Sequence, residues 1–285
     1  MAIDHDKLLN WRFDPIEKSY DDKDTILYAL GVGLGSEVTD ESQLRYVYED
    51  NLVALPSMAT VLGYPGFWLK DPDTGVDWKK VLHGEQFLQI HKPLPATGKV
   101  VGENRVSDLI DKGPAKGAVM FLERKLFDVA SGDLLCTLSA TTMLRGDGGF
   151  GGPARPVPRP HSVPNSAPEM TCDLPTLKQA ALIYRLSGDR NPLHADPEVA
   201  RFAGFDRPIL HGLSTYGVAC HAVVRTVCNY QPERLRRFDV RFSAPVYPGE
   251  TIRTEMWRDG NVVSFRARVV ERDVIVLNNG RAEVD

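Results

Sequence analysis

No apolar run in the chain approaches the roughly 18 residues a membrane helix needs. The opening stretch, MAIDHDKLLNWRF, lacks the apolar core of a secretory signal, and the last residues, AEVD, carry no SKL-type peroxisomal address. No membrane partner is expected; the expected compartment is the cytoplasm, with the peroxisome reserved for a eukaryotic source. Cysteine is scarce: Cys136, Cys172, Cys220 and Cys228 lie too far apart for a CxxC knuckle and are too few for a disulfide scaffold, so they read as ordinary thiols. Charge imbalance is slight as well, 38 acidic against 34 basic residues, which leaves neither a basic stripe for nucleic acid nor an acidic arm. Three motifs fail on context. Gly146, Gly148 and Gly151 fit GxGxxG, but prolines follow where a dinucleotide site needs a helix. DPDTGVD, from Asp71, has the alternating acids of a calcium loop without its later glutamate and reads as a solvated turn. No GxSxG elbow supplies a serine nucleophile. The expected partner is a small molecule.

What is present is enough chain, 285 residues, for two halves with real cores. Glycines followed by prolines between Gly146 and Pro168 mark a linker, which divides the chain into residues 1–145, 146–170 and 171–285. A faint repeat spans that division. YALGVG at Tyr28 parallels YRLSGD at Tyr184, and HKPLPATGKV at His91 parallels FSAPVYPGETI at Phe242. Each half opens with a short helical segment and ends in alternating runs such as AVMFLERKLFDV, which read as antiparallel strands. The order predicts an α+β fold made by duplication.

The second half has the sharper punctuation. Pro175 reads as lying near a helix start, with Leu177, Ala181 and Tyr184 on one apolar face and Gly188 as the stop. Asp196 before Pro197 caps a second short helix that Gly204 ends. Asp189 to His194 then form a loop stiffened by Pro192. HGLSTYGVACHAVVRTVC reads as a buried central helix with Gly212 at its N-terminus. On that helix Cys220 and His221 read as core residues.

A carboxylate and an imidazole on one rigid loop suit acid-base chemistry, one taking a proton while the other gives one. A glycine at a helix start lets a substrate oxygen reach a backbone N–H without an intrahelical partner. The same loop residues also fit a plain polar turn, since Asp and Asn commonly bond their own backbone.

The stretch YRLSGDRNPLHADPEVA with RPILHGLSTYG resembles the signature of the hydratase 2 family, the MaoC-like (R)-specific enoyl-CoA hydratases. LHGEQ in the first half and RFSAPVYPGETIRTEMW in the second extend the resemblance over nearly the whole chain. It implies a double hot-dog fold, each half an antiparallel sheet around a helix, and reversible hydration of trans-2-enoyl-CoA in fatty acid metabolism. Asp189 and His194 would activate water, Asn191 would help hold the site, and Gly212 would offer the oxyanion N–H. His83, Gly84, Lys112 and Phe242 match acyl-CoA contacts; Arg190, Pro192 and Leu193 of the loop are expected beside the substrate too. No metal or other cofactor is implied, because the thioester itself makes the double bond electrophilic. The first half, with YALGVGLGSEV, lacks the acid and histidine of the loop, so it is expected to accommodate the acyl chain around a short or broken helix. A hot-dog thioesterase and a non-catalytic acyl-CoA binding module remain alternatives, and both monomer and homodimer remain open.

Overall fold

A computed structural model describes residues 3–285. In the first half, α1 (His5–Leu9), β1 (Ile16–Tyr20), α2 (Asp22–Gly31) and α3 (Glu41–Leu44) precede four 3-10 turns and a run of strands. Those strands are β2 (Val81–Ile90), β3 (Gly98–Asp111), β4 (Ala118–Asp128) and β5 (Leu134–Leu144). The second half has β6 (Met170–Pro175), α4 (Ala180–Tyr184), α5 (Pro197–Phe202), α6 (Gly212–Thr226), β7 (Leu235–Phe242), β8 (Thr251–Asp259), β9 (Val262–Val269) and β10 (Val274–Val284).

All ten strands form one antiparallel sheet in the order β1-β3-β4-β5-β2-β7-β10-β9-β8-β6. The order is a palindrome: each half contributes the same five-strand arrangement, and β2 meets β7 at a central seam running from Glu85↔Arg241 to Gln89↔Arg237. The duplicated hot-dog fold expected from the sequence is present. The alternation that makes the strands is plain in β9, where Val263, Phe265, Ala267 and Val269 enter the core while Arg266 and Arg268 point away.

α6 is apolar nearly all round and buried continuously from Ser214 to Val224, as a helix enclosed by sheet must be. Its counterpart in the first half is only a buried 3-10 turn, Pro56–Val61. The proline there fixes the turn's start and removes an N–H donor. Between the halves, α2 packs on α6 through Gly217, where an added Cβ would lie 2.6 Å from Val32 and 3.0 Å from the Tyr28 hydroxyl. Gly217→Ala gains about 1 kcal/mol of helix propensity. It overpacks this contact at a cost of about 1–3 kcal/mol. We expect a lower urea midpoint for Gly217→Ala, partly restored when Val32→Ala is added.

Two local expectations are corrected. Pro175 does not begin a helix: it is the last residue of β6, an edge strand where its missing N–H is tolerated, and α4 starts only at Ala180. Leu177 accordingly leaves the apolar face and is 48% exposed, while Ala181 and Tyr184 are buried. Of the three glycines that imitate a dinucleotide motif, Gly151 has another use. The Asp111 carboxylate accepts N–H bonds from Gly113, Gly149 and Gly151, which hold it below the usual carboxylate range, Gly149 contributing most.

Candidate active site

The loop between α4 and α5 is built from its own side chains. Gly188 sits at φ 139°, a conformation glycine tolerates, and ends the 3-10 turn that follows α4. The Asp189 carboxylate accepts the Asn191 N–H at 3.0 Å, and the Asn191 side-chain oxygen accepts the Leu193 N–H at 3.2 Å. Those two bonds and Pro192 wind residues 192–194 into a single 3-10 turn that carries His194 inward. Arg190, Asn191 and Pro192 stay exposed, Asp189 and Leu193 are half-buried, and His194 is buried. Asn191 thus acts on the loop's own backbone. Asp196 is a plain helix cap, accepting the Glu198 N–H at 2.8 Å.

His194 Nδ1 bonds the Ile209 carbonyl at 2.9 Å. A carbonyl can only accept, so Nδ1 carries the proton and Nε2 is left with its lone pair. Burial lowers the pKa of the ring and keeps it neutral. Against it stacks His211, the cap residue of α6, with ring centroids 3.8 Å apart and planes at 30°. His211 donates from Nε2 to the Asp189 carbonyl at 3.0 Å, and its ring centroid lies 5.0 Å from that of Tyr184. Sequence reasoning missed His211, although it stands immediately before Gly212. The Asp189 charge is felt by His194 and His211, and also by His83 and Tyr64 of the first half, so the loop faces both halves.

At the start of α6, the Gly212 N–H has no backbone or side-chain acceptor among the described residues. A Cβ there would lie 3.3 Å from the Phe242 ring, which itself packs on His83 at 4.7 Å between centroids. Three predicted residues, Gly212, Phe242 and His83, therefore form one row beside the loop. Gly84 adjoins that row, and its lack of a side chain is needed structurally, since a Cβ would come within 2.8 Å of Thr141 Oγ1. Lys112 lies elsewhere, at the turn from β3 to β4, its N–H on the Gly117 carbonyl.

Asp189, His194 and His211 each place one potential ligand atom within 4.8 Å of the others. Such a group can hold a metal ion, and the same side chains can equally move a proton.

Burial drives His211 and also the core residue His221 down to about 4. Both are neutral in the fold, whereas the unfolded chain protonates such groups near 6.5. Their contribution is therefore complete above pH 6.5 and is lost as pH falls through that value toward 4, by roughly a few kcal/mol in total. Urea midpoints measured from pH 7.5 to 4.5 should fall on the acid side, with a shallower slope in His221→Gln.

Residues 19–146 match the MFE-2 hydratase 2 N-terminal domain, and residues 160–280 match the MaoC like domain. The chain is 38% identical to the peroxisomal enoyl-CoA hydratase 2 of Arabidopsis thaliana, over 95% of this chain and 93% of that one. A crystal structure of a MaoC-like dehydratase from Phytophthora capsici superposes with a TM-score of 0.85 at 33% identity, covering 98% of both chains. At 16% identity and a TM-score of 0.57, a Mycobacterium tuberculosis protein described as having a double hotdog fold covers 95% of each chain and shares the fold. With its palindromic sheet, both family domains matched in order, and 95% of its length matched by a relative at 38% identity, this chain belongs to the MaoC-like hydratase 2 family.

Proposed function

We propose that the protein hydrates trans-2-enoyl-CoA reversibly to (R)-3-hydroxyacyl-CoA within fatty acid metabolism, using Asp189 and His194 as its acid-base pair. The observation that carries the reading is a neutral imidazole with a free Nε2, held beside a carboxylate and next to an unpartnered helix-start N–H. In this reaction water delivers its oxygen to C3 and a proton reaches C2. The pair takes the proton from water and supplies the one that C2 receives. Negative charge builds on the thioester oxygen meanwhile, and the Gly212 N–H stabilises it there. Phe242 and His83 wall the acyl-CoA beside Gly212, with Gly84, the exposed loop residues Arg190 and Pro192, and the half-buried Leu193 around them. We assign Lys112, which has no carboxylate within 4.0 Å among the described residues, to the coenzyme A phosphates. The acyl chain runs into the first half, over the turn Pro56–Val61, where a full helix would otherwise fill the space.

The test is to incubate the protein with crotonyl-CoA and with a longer trans-2-enoyl-CoA, following the conjugated double bond and free thiol together. Bond loss without thiol release, yielding the (R) product, supports the proposal. Thiol release would make it a thioesterase, and no change in either would leave an acyl-CoA binding module.

A further inference from the structure

One charged side chain on the inner face of the first half lacks a counterion. Arg124 of β4 is 7% exposed and shares the inward phase of Leu122 and Leu126. Its Nη2 donates to the Thr60 carbonyl at 2.8 Å, while Nε and Nη1 are buried with no partner. No carboxylate lies within ion-pair distance of it among the described residues; its other neighbours are the Tyr64 ring, 5.6 Å away, and the thiol of Cys136, which burial keeps protonated. Opposite Arg124 in the sheet stands Asn104, whose amide donates to the Gly63 carbonyl at 3.1 Å and whose Oδ1 is also buried without a partner.

An unpaired buried charge is costly, and the free N–H groups on Nε and Nη1 can each donate to an anionic oxygen. The position suits a substrate. Arg124 pairs with Leu138 across the sheet, and Leu138 pairs with Leu88 of β2, five residues beyond His83. At about 3.3 Å per residue along β2 and about 4.8 Å per strand across to β4, Arg124 lies roughly 19 Å from His83 at the proposed thioester site. Leu88 also lines an apolar cavity of about 140 Å³ with Ala59, Ile90, Leu135 and Cys136.

We propose that Arg124 recognises a carboxylate on the distal part of the acyl chain, so that the preferred substrates are enoyl thioesters carrying a second acid group. The inference rests on the reading of this protein as an acyl-thioester enzyme. Arg124 is a specificity residue and takes no part in the chemistry at C2 and C3.

The experiment compares kcat/KM for a medium-chain trans-2-enoyl-CoA with that for its counterpart bearing a terminal carboxylate, in the wild type, Arg124→Met and Arg124→Lys. A charge-assisted hydrogen bond predicts that Arg124→Met lowers the carboxyl-to-methyl preference by about tenfold to a hundredfold, with Arg124→Lys in between. Methionine removes an unpaired charge at similar volume, so folding should hold. A preference equal in all three proteins overturns the proposal, even if both rates fall, because a purely structural arginine would affect both substrates alike. Should the wild type hydrate neither thioester, the hydratase reading fails. Recognition is then read from thermal unfolding with the two saturated thioesters: a larger stabilisation by the carboxylate form that Arg124→Met abolishes supports the inference, and equal shifts overturn it.

Discussion

Asp189→Asn is expected to lower kcat for crotonyl-CoA by about 10²–10⁴-fold, the range that positioned acid-base groups supply. The amide can still accept the Asn191 N–H through its oxygen, so the loop should keep its shape while losing the charge that favours proton transfer. KM should change little, which would separate lost chemistry from lost binding. His194→Gln is expected to fall into the same range, and the double variant should be scarcely worse than either single one, because two groups that share one proton path act as a unit. Full activity in Asp189→Asn would remove the carboxylate from the mechanism.

Gly212→Pro should be nearly as damaging for a different reason. Proline is favoured at the first position of a helix, where its missing N–H belongs to no intrahelical bond. The preceding residue, His211, already has ψ 136°, the extended conformation that proline demands of its neighbour. The substitution thus deletes the proposed oxyanion donor while leaving α6 able to form. Loss of one such donor costs about 10²–10³-fold in kcat. Gly212→Ala is the control: it meets the Phe242 ring at the same 3.3 Å but keeps the N–H. It should cost far less, mostly through KM. Equal losses in the two variants would mean that crowding, not hydrogen bonding, explains Gly212.

Much of this site could be read from sequence because its signals are local. Asp189, Asn191, Pro192 and His194 are spaced for successive side-chain turns, and the structure folds them that way within six residues. α6 declared itself by an apolar run without proline, and the repeat by paired segments now seen as neighbours, Tyr28 and Tyr184 lying 5.9 Å apart. Errors came where a local signal has two meanings. Proline serves at a helix start and also at the end of an edge strand, and only the place of β6 at the sheet's margin decides for Pro175. His211 was passed over because its partner, the Asp189 carbonyl, is a backbone atom 22 residues away that no side-chain pattern reveals. Arg124 was legible in part, since it falls in phase with Leu122 and Leu126, but only the folded sheet shows that no carboxylate among the described residues pairs with it.

The palindromic sheet also carries a consequence for how the chain folds. Within each half the meander of hairpins, β3 to β4 to β5 and β8 to β9 to β10, closes over short loops and can form early. The seam is different: Gln89 and Arg237 pair across nearly 150 residues, so their contact repays its entropy only after both halves exist. Because closure entropy grows only with the logarithm of length, the segment joining the halves can be long and irregular at little thermodynamic cost. The rate of joining, more than the final stability, is what a change in that segment would alter.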